Sequence, residues 1–324
     1  MIDPPYPQTE AGRPRRIGVE IEFIGVSCEK AAELVRHLYG GVLRPLDAYR
    51  FLVTGTRLGD FTVELDCQYA HTEDSSDADP AVTNTIKSSL ANAIGAVSSL
   101  WVPVEIISPP VPLSALPELD RLIPALRHAG AEDTKEGLVY AFATQLNPEV
   151  PSFSIESIVA HLRAFLLLEN KLRAEIDIDL LRRTLAFTNP FPKAYARKVV
   201  SPLYQPELTQ FVDDYIAANP TRNRELDLLP LLAELAPEQV RASIDDIRVK
   251  PRPTFHYRMP DTRLSDPGWG FVMEWDRWVA VELLAADADA LARLGEIFVD
   301  PDSRQRDQIL LREIEAWWAR SAGR

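Results

Sequence analysis

Cysteine is scarce in this chain. Cys28 and Cys67 are the two present in 324 residues, and no CxxC occurs. That argues against a disulfide framework or a zinc ribbon and makes a reducing cytoplasm the expected setting. Long apolar runs are missing too, so no segment reads as a membrane span. The opening Met1-Ile2-Asp3-Pro4-Pro5-Tyr6-Pro7 has no charged-then-apolar pattern of a secretion signal, and residues 1–14 read as a disordered lead. Positive charge is in deficit: 35 Lys and Arg stand against 48 Asp and Glu, a formal net charge of -13. Such a chain is a poor candidate for bare nucleic acid or an anionic membrane surface. There is no GxxxxGK[ST], which excludes a P-loop at the motif level. Neither a GxSxG nor a Cys/His pair at a known spacing occurs, so no nucleophilic side chain stands out. Without an internal repeat or a Gly/Ser-rich linker, residues 15–324 read as one domain with a helical C-terminal part.

What is present is a repeated one-sided acid pattern. In Arg16 to Val26 (RIGVEIEFIGV), Ile17, Val19, Ile21 and Phe23 alternate with Gly18, Glu20 and Glu22. Period-two alternation in a β-branched run predicts a strand with an apolar face and a face bearing two carboxylates about 7 Å apart. Tyr49 to Tyr69 reads as a hairpin. Its second arm, Phe61 to Cys67, sets Phe61, Val63 and Leu65 on one side and Thr62, Glu64 and Asp66 on the other. Val102 to Ile107 predicts a third strand with Glu105 opposite Val104 and Ile106, ended by Ser108-Pro109-Pro110. Gly137 to Leu146 predicts a fourth, with Val139, Ala141, Ala143 and Gln145 on one face and Asn147-Pro148-Glu149 following.

Helices are expected over Glu29–Tyr39, Thr83–Leu100, Leu116–Ala129, from Ser154 through Leu168, and over Phe211–Ala218, Trp275–Ala286 and Gln308–Arg320. A further strand, Thr254 to Arg258, sets His256 and Arg258 on one face. The Trp275, Trp278, Trp317 and Trp318 positions read as helix-packing aromatics, Cys28 and Cys67 as inert thiols.

If the three acidic strands pair in one sheet, Glu20, Glu22, Glu64, Asp66 and Glu105 converge. A cluster of carboxylates is costly unless a cation intervenes, and hard divalent cations take oxygen ligands. If they do not pair, each acid has a wet surface or a basic neighbour.

The ordered set of short motifs resembles the amidoligase family, distant relatives of glutamate–cysteine ligase and glutamine synthetase. RIGVEIEF (16–23), FTVELD (61–66), EIISPP (105–110), FATQLNPE (142–149), RNRELDLLP (222–230) and TFHYRMP (254–260) carry the likeness, across most of residues 15–285. It implies an α+β fold: a glutamine synthetase-like curved, mainly antiparallel sheet with helices packed on its convex side and ATP and Mg²⁺ on its concave face. It also implies ATP-dependent joining of a carboxylate to an amine, both from small-molecule or peptide substrates, through an acyl-phosphate. Carried over by position, Glu20, Glu22, Glu64, Asp66 and Glu105 would be metal ligands, with Glu64, Gln145, Asn147 and His256 at the nucleotide. Arg222, Arg224 and Arg258 would hold phosphate or a substrate carboxylate, which a guanidinium fork binds bidentately. The chain departs from the family where histidine is expected at Gln145 and glycine at Ala143. That leaves a non-catalytic relative binding nucleotide or a partner protein as one alternative. A metal-dependent phosphohydrolase is another, since clustered carboxylates also serve two-metal hydrolysis.

Overall fold

The computed structural model describes residues 1–65, 103–133, 142–176, 189–300 and 303–321. The expected helix over 83–100, Asp66, Cys67 and the first part of the fourth predicted strand lie outside these residues. The architecture is α+β with mostly antiparallel strands. Where the sequence suggests one domain, the chain divides into two units: residues 18–145 with 261–271, and residues 1–17 with 146–260 and 272–324. The boundaries at Ile17/Gly18 and Gln145/Leu146 fall inside strands. A boundary within a strand has no linker composition to announce it.

In the unit of residues 18–145, five strands run in the order β2-β3-β4-β5-β1. They are β1 (Arg16–Phe23), β2 (Val42–Pro45), β3 (Arg50–Thr56), β4 (Gly59–Leu65) and β5 (Val104–Ile107). The pairs β1–β5, β2–β3, β3–β4 and β4–β5 are all antiparallel. The apolar face is the one the alternation predicts: Val19, Ile21, Phe23, Phe61, Val63 and Ile106 are all buried. Helix α1 (Cys28–Tyr39) packs on β3, β4 and β5 through Ala31, Ala32 and Val35. Ser27 caps it by accepting the Lys30 N–H, and Gly40, at φ 81°, ends it in a conformation that favours glycine. Strand β2 has only four residues, with Val42 and Arg44 exposed, and no strand was expected there. After Ser108-Pro109-Pro110, the two-residue β6 (Val111–Pro112) pairs with β1. The helix expected over 116–129 is broken at Asp120-Arg121 into α2 (Leu116–Leu119) and α3 (Leu122–His128).

The other unit holds a short antiparallel ladder, β7-β9-β8: β7 (Thr144–Pro148), β8 (Leu226–Asp227) and β9 (His256–Tyr257). Around it lie α4 (Ile155–Ile176), α5 (Lys193–Val200), α6 (Leu208–Ala218), α7 (Leu229–Leu235), α8 (Pro237–Ser243), α9 (Phe271–Ala286), α10 (Ala288–Val299) and α11 (Ser303–Ser321). Trp275, Trp278 and Trp317 are buried helix-packing aromatics. Each indole N–H finds an acceptor: the Ile2 carbonyl, Glu282 and Asp287 in turn.

The leading residues are fastened rather than disordered. The Ile2 N–H donates to Asp276 at 2.6 Å and the Glu10 N–H to the Pro151 carbonyl at 3.1 Å. At their end, fully buried Arg15 donates to both oxygens of fully buried Glu282 at 2.7 and 2.8 Å. It also donates to the carbonyls of Tyr6 and Glu149. Two of the partners that fasten this arginine, Glu149 and Glu282, lie more than 130 residues away, beyond the reach of a local reading.

Candidate functional site

The acidic face begins with register. Across β1 and β5, Glu22 stands opposite Glu105, and across β5 and β4, Glu105 stands opposite Glu64. Three carboxylates from strands far apart in sequence therefore form one row, each step about 5 Å between backbones. Glu20 is one pleat repeat along β1, opposite Ile107, which is opposite Thr62. Glu20 and Glu64 are thus on the same face, two strand spacings and two residues apart, or about 12 Å. Glu20 and Glu105 are 9 % exposed, and Glu22 and Glu64 are intermediate. Charges this shielded interact more strongly than they would in water.

Two further side chains belong to this face. Gln145 donates its Nε2–H to Glu22 Oε1 at 3.1 Å, and the Ala143 N–H donates to Glu22 Oε2 at 3.0 Å. Arg50 of β3 stands opposite Glu64. The sequence suggests a turn at Leu58-Gly59-Asp60 and assigns Arg50 no partner, whereas the strands meet at Thr56 and Gly59, a pairing that without irregularity would set Arg50 opposite Leu65. The register shifts between Val53 and Thr56, where Gly55 takes a φ of 69°, and this moves Arg50 by one residue onto the acidic face. An arginine opening a strand five residues before a glycine at an irregularity is a signal only once the bulge is known.

The row offers only oxygen donors, the chemistry that hard divalent cations select. Among the described residues, no group of three or more His, Cys, Asp or Glu is already gathered around one point for a metal. The donor set fits Mg²⁺ in kind, an ion that keeps several waters and takes substrate phosphates alongside one or two carboxylates. Behind this face, burial pushes the Cys28 thiol up to about 12, with a smaller contribution from Glu64. Cys28 is therefore no nucleophile at neutral pH.

The basic residues named from the sequence lie in the other unit, and three of them, Arg222, His256 and Arg258, gather around Asp227. This carboxylate is fully buried. Oδ2 is 3.4 Å from both Arg222 Nε and His256 Nδ1, and Oδ1 accepts the Leu229 N–H at 3.0 Å. Arg258 Nη1 donates to the Arg222 carbonyl at 2.7 Å. The pairing of Leu226 with Tyr257 and of Asp227 with His256 puts His256 beside Asp227. Arg222 and Arg224 precede β8, and the next helix begins at Leu229.

Arg224 is separate from this group. It donates to Asn219 at 2.7 Å and lies over the Phe191 ring at 5.9 Å. Burial lowers its pKa below the ordinary guanidinium value. Glu225, its neighbour, pairs with Arg173 at 2.5 Å. Asn147 is buried on β7 next to Leu146, which pairs with Tyr257. Asp227 is the residue whose importance the sequence understated. Its burial is visible only after β8 and β9 pair.

Among the described residues, no helix is long and apolar enough to cross a membrane. The sequence model of a family described as "Putative amidoligase enzyme" matches residues 13–280. No curated protein and no solved structure gives a significant match.

Proposed function

From the chain's membership of the amidoligase family, established over residues 13–280, we propose that it is an ATP- and Mg²⁺-dependent ligase that joins a carboxylate to an amine. The observation that carries this reading is the register Glu22–Glu105–Glu64. Like charges directly opposite one another on a sheet are destabilising. A row of three is therefore better understood as a place for a cation than as a stability device.

A carboxylate is a poor electrophile because its oxygen is a bad leaving group. In the proposed reaction, the substrate carboxylate attacks the γ-phosphorus of ATP, and ADP leaves. An amine then attacks the acyl carbon, loses a proton to solvent, and expels phosphate to leave the amide. Glu20, Glu22, Glu64 and Glu105 hold Mg²⁺, which supplies neutralisation of the triphosphate charge. The protein's work is positioning and charge stabilisation. Arg222, tethered at Nε to buried Asp227, keeps its two terminal nitrogens for a bidentate anion. Arg258 buttresses the Arg222 main chain. Arg224, packed on Phe191 and bonded to Asn219, we assign to packing. A glutamine synthetase-like curvature, with ATP on the concave face, is part of this reading, as is a cytoplasmic setting.

Calorimetry with a non-hydrolysable ATP analogue tests it. Binding should require Mg²⁺ and be lost in Glu105→Gln. Absence of binding by the parent protein with Mg²⁺ overturns the proposal. With ATP itself, phosphate release that needs an amine supports the ligase. Phosphate release without an amine favours the hydrolase, and binding without turnover favours a non-catalytic relative.

A further inference from the structure

A glutamate side chain has three rotatable bonds, so a carboxylate that serves as a cation ligand needs something to hold its direction. For Glu22 that something is on the neighbouring chain segment. The Glu22 N–H donates to the Ala143 carbonyl at 3.0 Å, which sets the backbone register. The Ala143 N–H, which a continuing ladder would give to a main-chain carbonyl, goes instead to Glu22 Oε2 at 3.0 Å. Two residues on, on the same face by the strand period, Gln145 Nε2 reaches Glu22 Oε1 at 3.1 Å. One donor on each oxygen fixes both the position and the plane of the carboxylate. A carboxylate only accepts, so the amide nitrogen rather than its oxygen faces Glu22. Gln145 is 5 % exposed. Its hydrogen bond is part-buried, where losing a partner costs more than at the surface.

We infer that Gln145 is a positioning residue for Glu22 in cation binding, in place of a direct contact to nucleotide. The two protein donors, one to each Glu22 oxygen, hold the carboxylate in one fixed direction. Glutamine suits this task because it is neutral. A charged donor at 145 would orient Glu22 equally well but would neutralise it by ion pairing and repel an arriving cation. The inference rests on the reading of the acidic row as a Mg²⁺ site and assigns one further residue to that site.

Mn²⁺ is the probe, since it takes oxygen ligands and its free form is counted by electron paramagnetic resonance. At pH 8, Gln145→Leu should weaken Mn²⁺ binding about tenfold or more, the usual scale for losing an outer-shell partner. Gln145→Lys should weaken it at least as much, because it donates but carries charge. Gln145→His, a neutral donor at that pH, should stay within about threefold of the parent. Equal affinity in the parent and Gln145→Leu overturns the positioning role and leaves the metal site standing. Equal losses in Gln145→Leu and Gln145→His also overturn it, by tracing the effect to packing. A parent protein that binds no Mn²⁺ overturns this inference and the metal reading together. If Gln145→Leu does not fold, as judged by circular dichroism without metal, the lysine and histidine variants decide: parent-like affinity in Gln145→Lys overturns the inference.

Discussion

Charge is handled in opposite ways in two regions of this protein. Around Arg15 and Glu282, a cation and an anion are both fully buried, and they meet through two hydrogen bonds. The remaining polar atoms there are also met: Trp278 donates to Glu282, and Arg15 donates to the Glu149 and Tyr6 carbonyls. On the β1-β5-β4 face, Glu22, Glu105 and Glu64 carry one sign and stand directly opposite one another, Glu22 and Glu64 half-buried and Glu105 buried between them. The first arrangement is what a structure needs when it buries charge. The second is tolerable in a fold and useful at a binding face. The contrast teaches that number of charges is a poor guide to role, and that sign and closure separate fastening from function.

The largest effect should come from breaking the closed pair. Arg15→Leu leaves Glu282 buried without its cation, and equilibrium denaturation should show a loss of about 3–5 kcal/mol. Replacing both residues with apolar ones should recover part of that. If Arg15→Leu costs less than about 1 kcal/mol, the pair is not the fastening it is taken for here.

Next in size is a pH dependence beside the same pair. His161 is buried on α4, with Nδ1 2.7 Å from the Ser157 carbonyl and its ring stacked 5.0 Å from Phe255. Burial holds its pKa below the ordinary 6.5, against an opposing pull from Glu282. The unfolded chain therefore binds this proton more readily than the folded one. The stability this group contributes is complete above pH 6.5 and is lost as pH falls below that value toward the lower folded pKa. The slope in that window should reach at most about 1.4 kcal/mol per pH unit for one proton. His161→Phe should flatten it, and an unchanged slope in denaturation curves between pH 7 and pH 5 would assign it elsewhere.

The smallest change sharpens the contrast from the acidic side. Glu105→Gln removes the central charge of the row. Without metal it should leave the protein as stable or better by about 0.2–1 kcal/mol, the range for cross-strand pairs. It should also abolish the rise in melting temperature that Mg²⁺ gives the parent, since an ion bound only by the folded state stabilises it by mass action. Thermal melts with and without Mg²⁺ measure both. A Mg²⁺ shift that survives in Glu105→Gln would remove the row from the metal reading.

Much of the acidic face was legible in advance. The alternation in Arg16–Phe23 assigned Glu20 and Glu22 to the side away from the core, and Ser108-Pro109-Pro110 marked the end of β5. Hydrophobic spacing found α1, α6 and α9, and it found α4 though it stopped short of Ile176. It missed α5, α8 and α10, and it ran α2 and α3 together. The basic cluster was less legible. Arg222, Arg258 and His256 stood out by type, but nothing local showed that Asp227 is buried between Arg222 and His256.

Side-chain alternation is a property of a single strand, so the sequence alone determined which face Glu20, Glu22, Glu64 and Glu105 occupy. Which of them are opposite one another depends on register, and register depends on segments dozens of residues apart. Only the tertiary structure decided that Glu22, Glu105 and Glu64 form one row, and that the bulge at Val53–Thr56 brings Arg50 beside it. It also decided that Gln145 spends its amide on Glu22. That bond exists because the main chain at Ala143 pairs with Glu22, a long-range closure that no local propensity encodes.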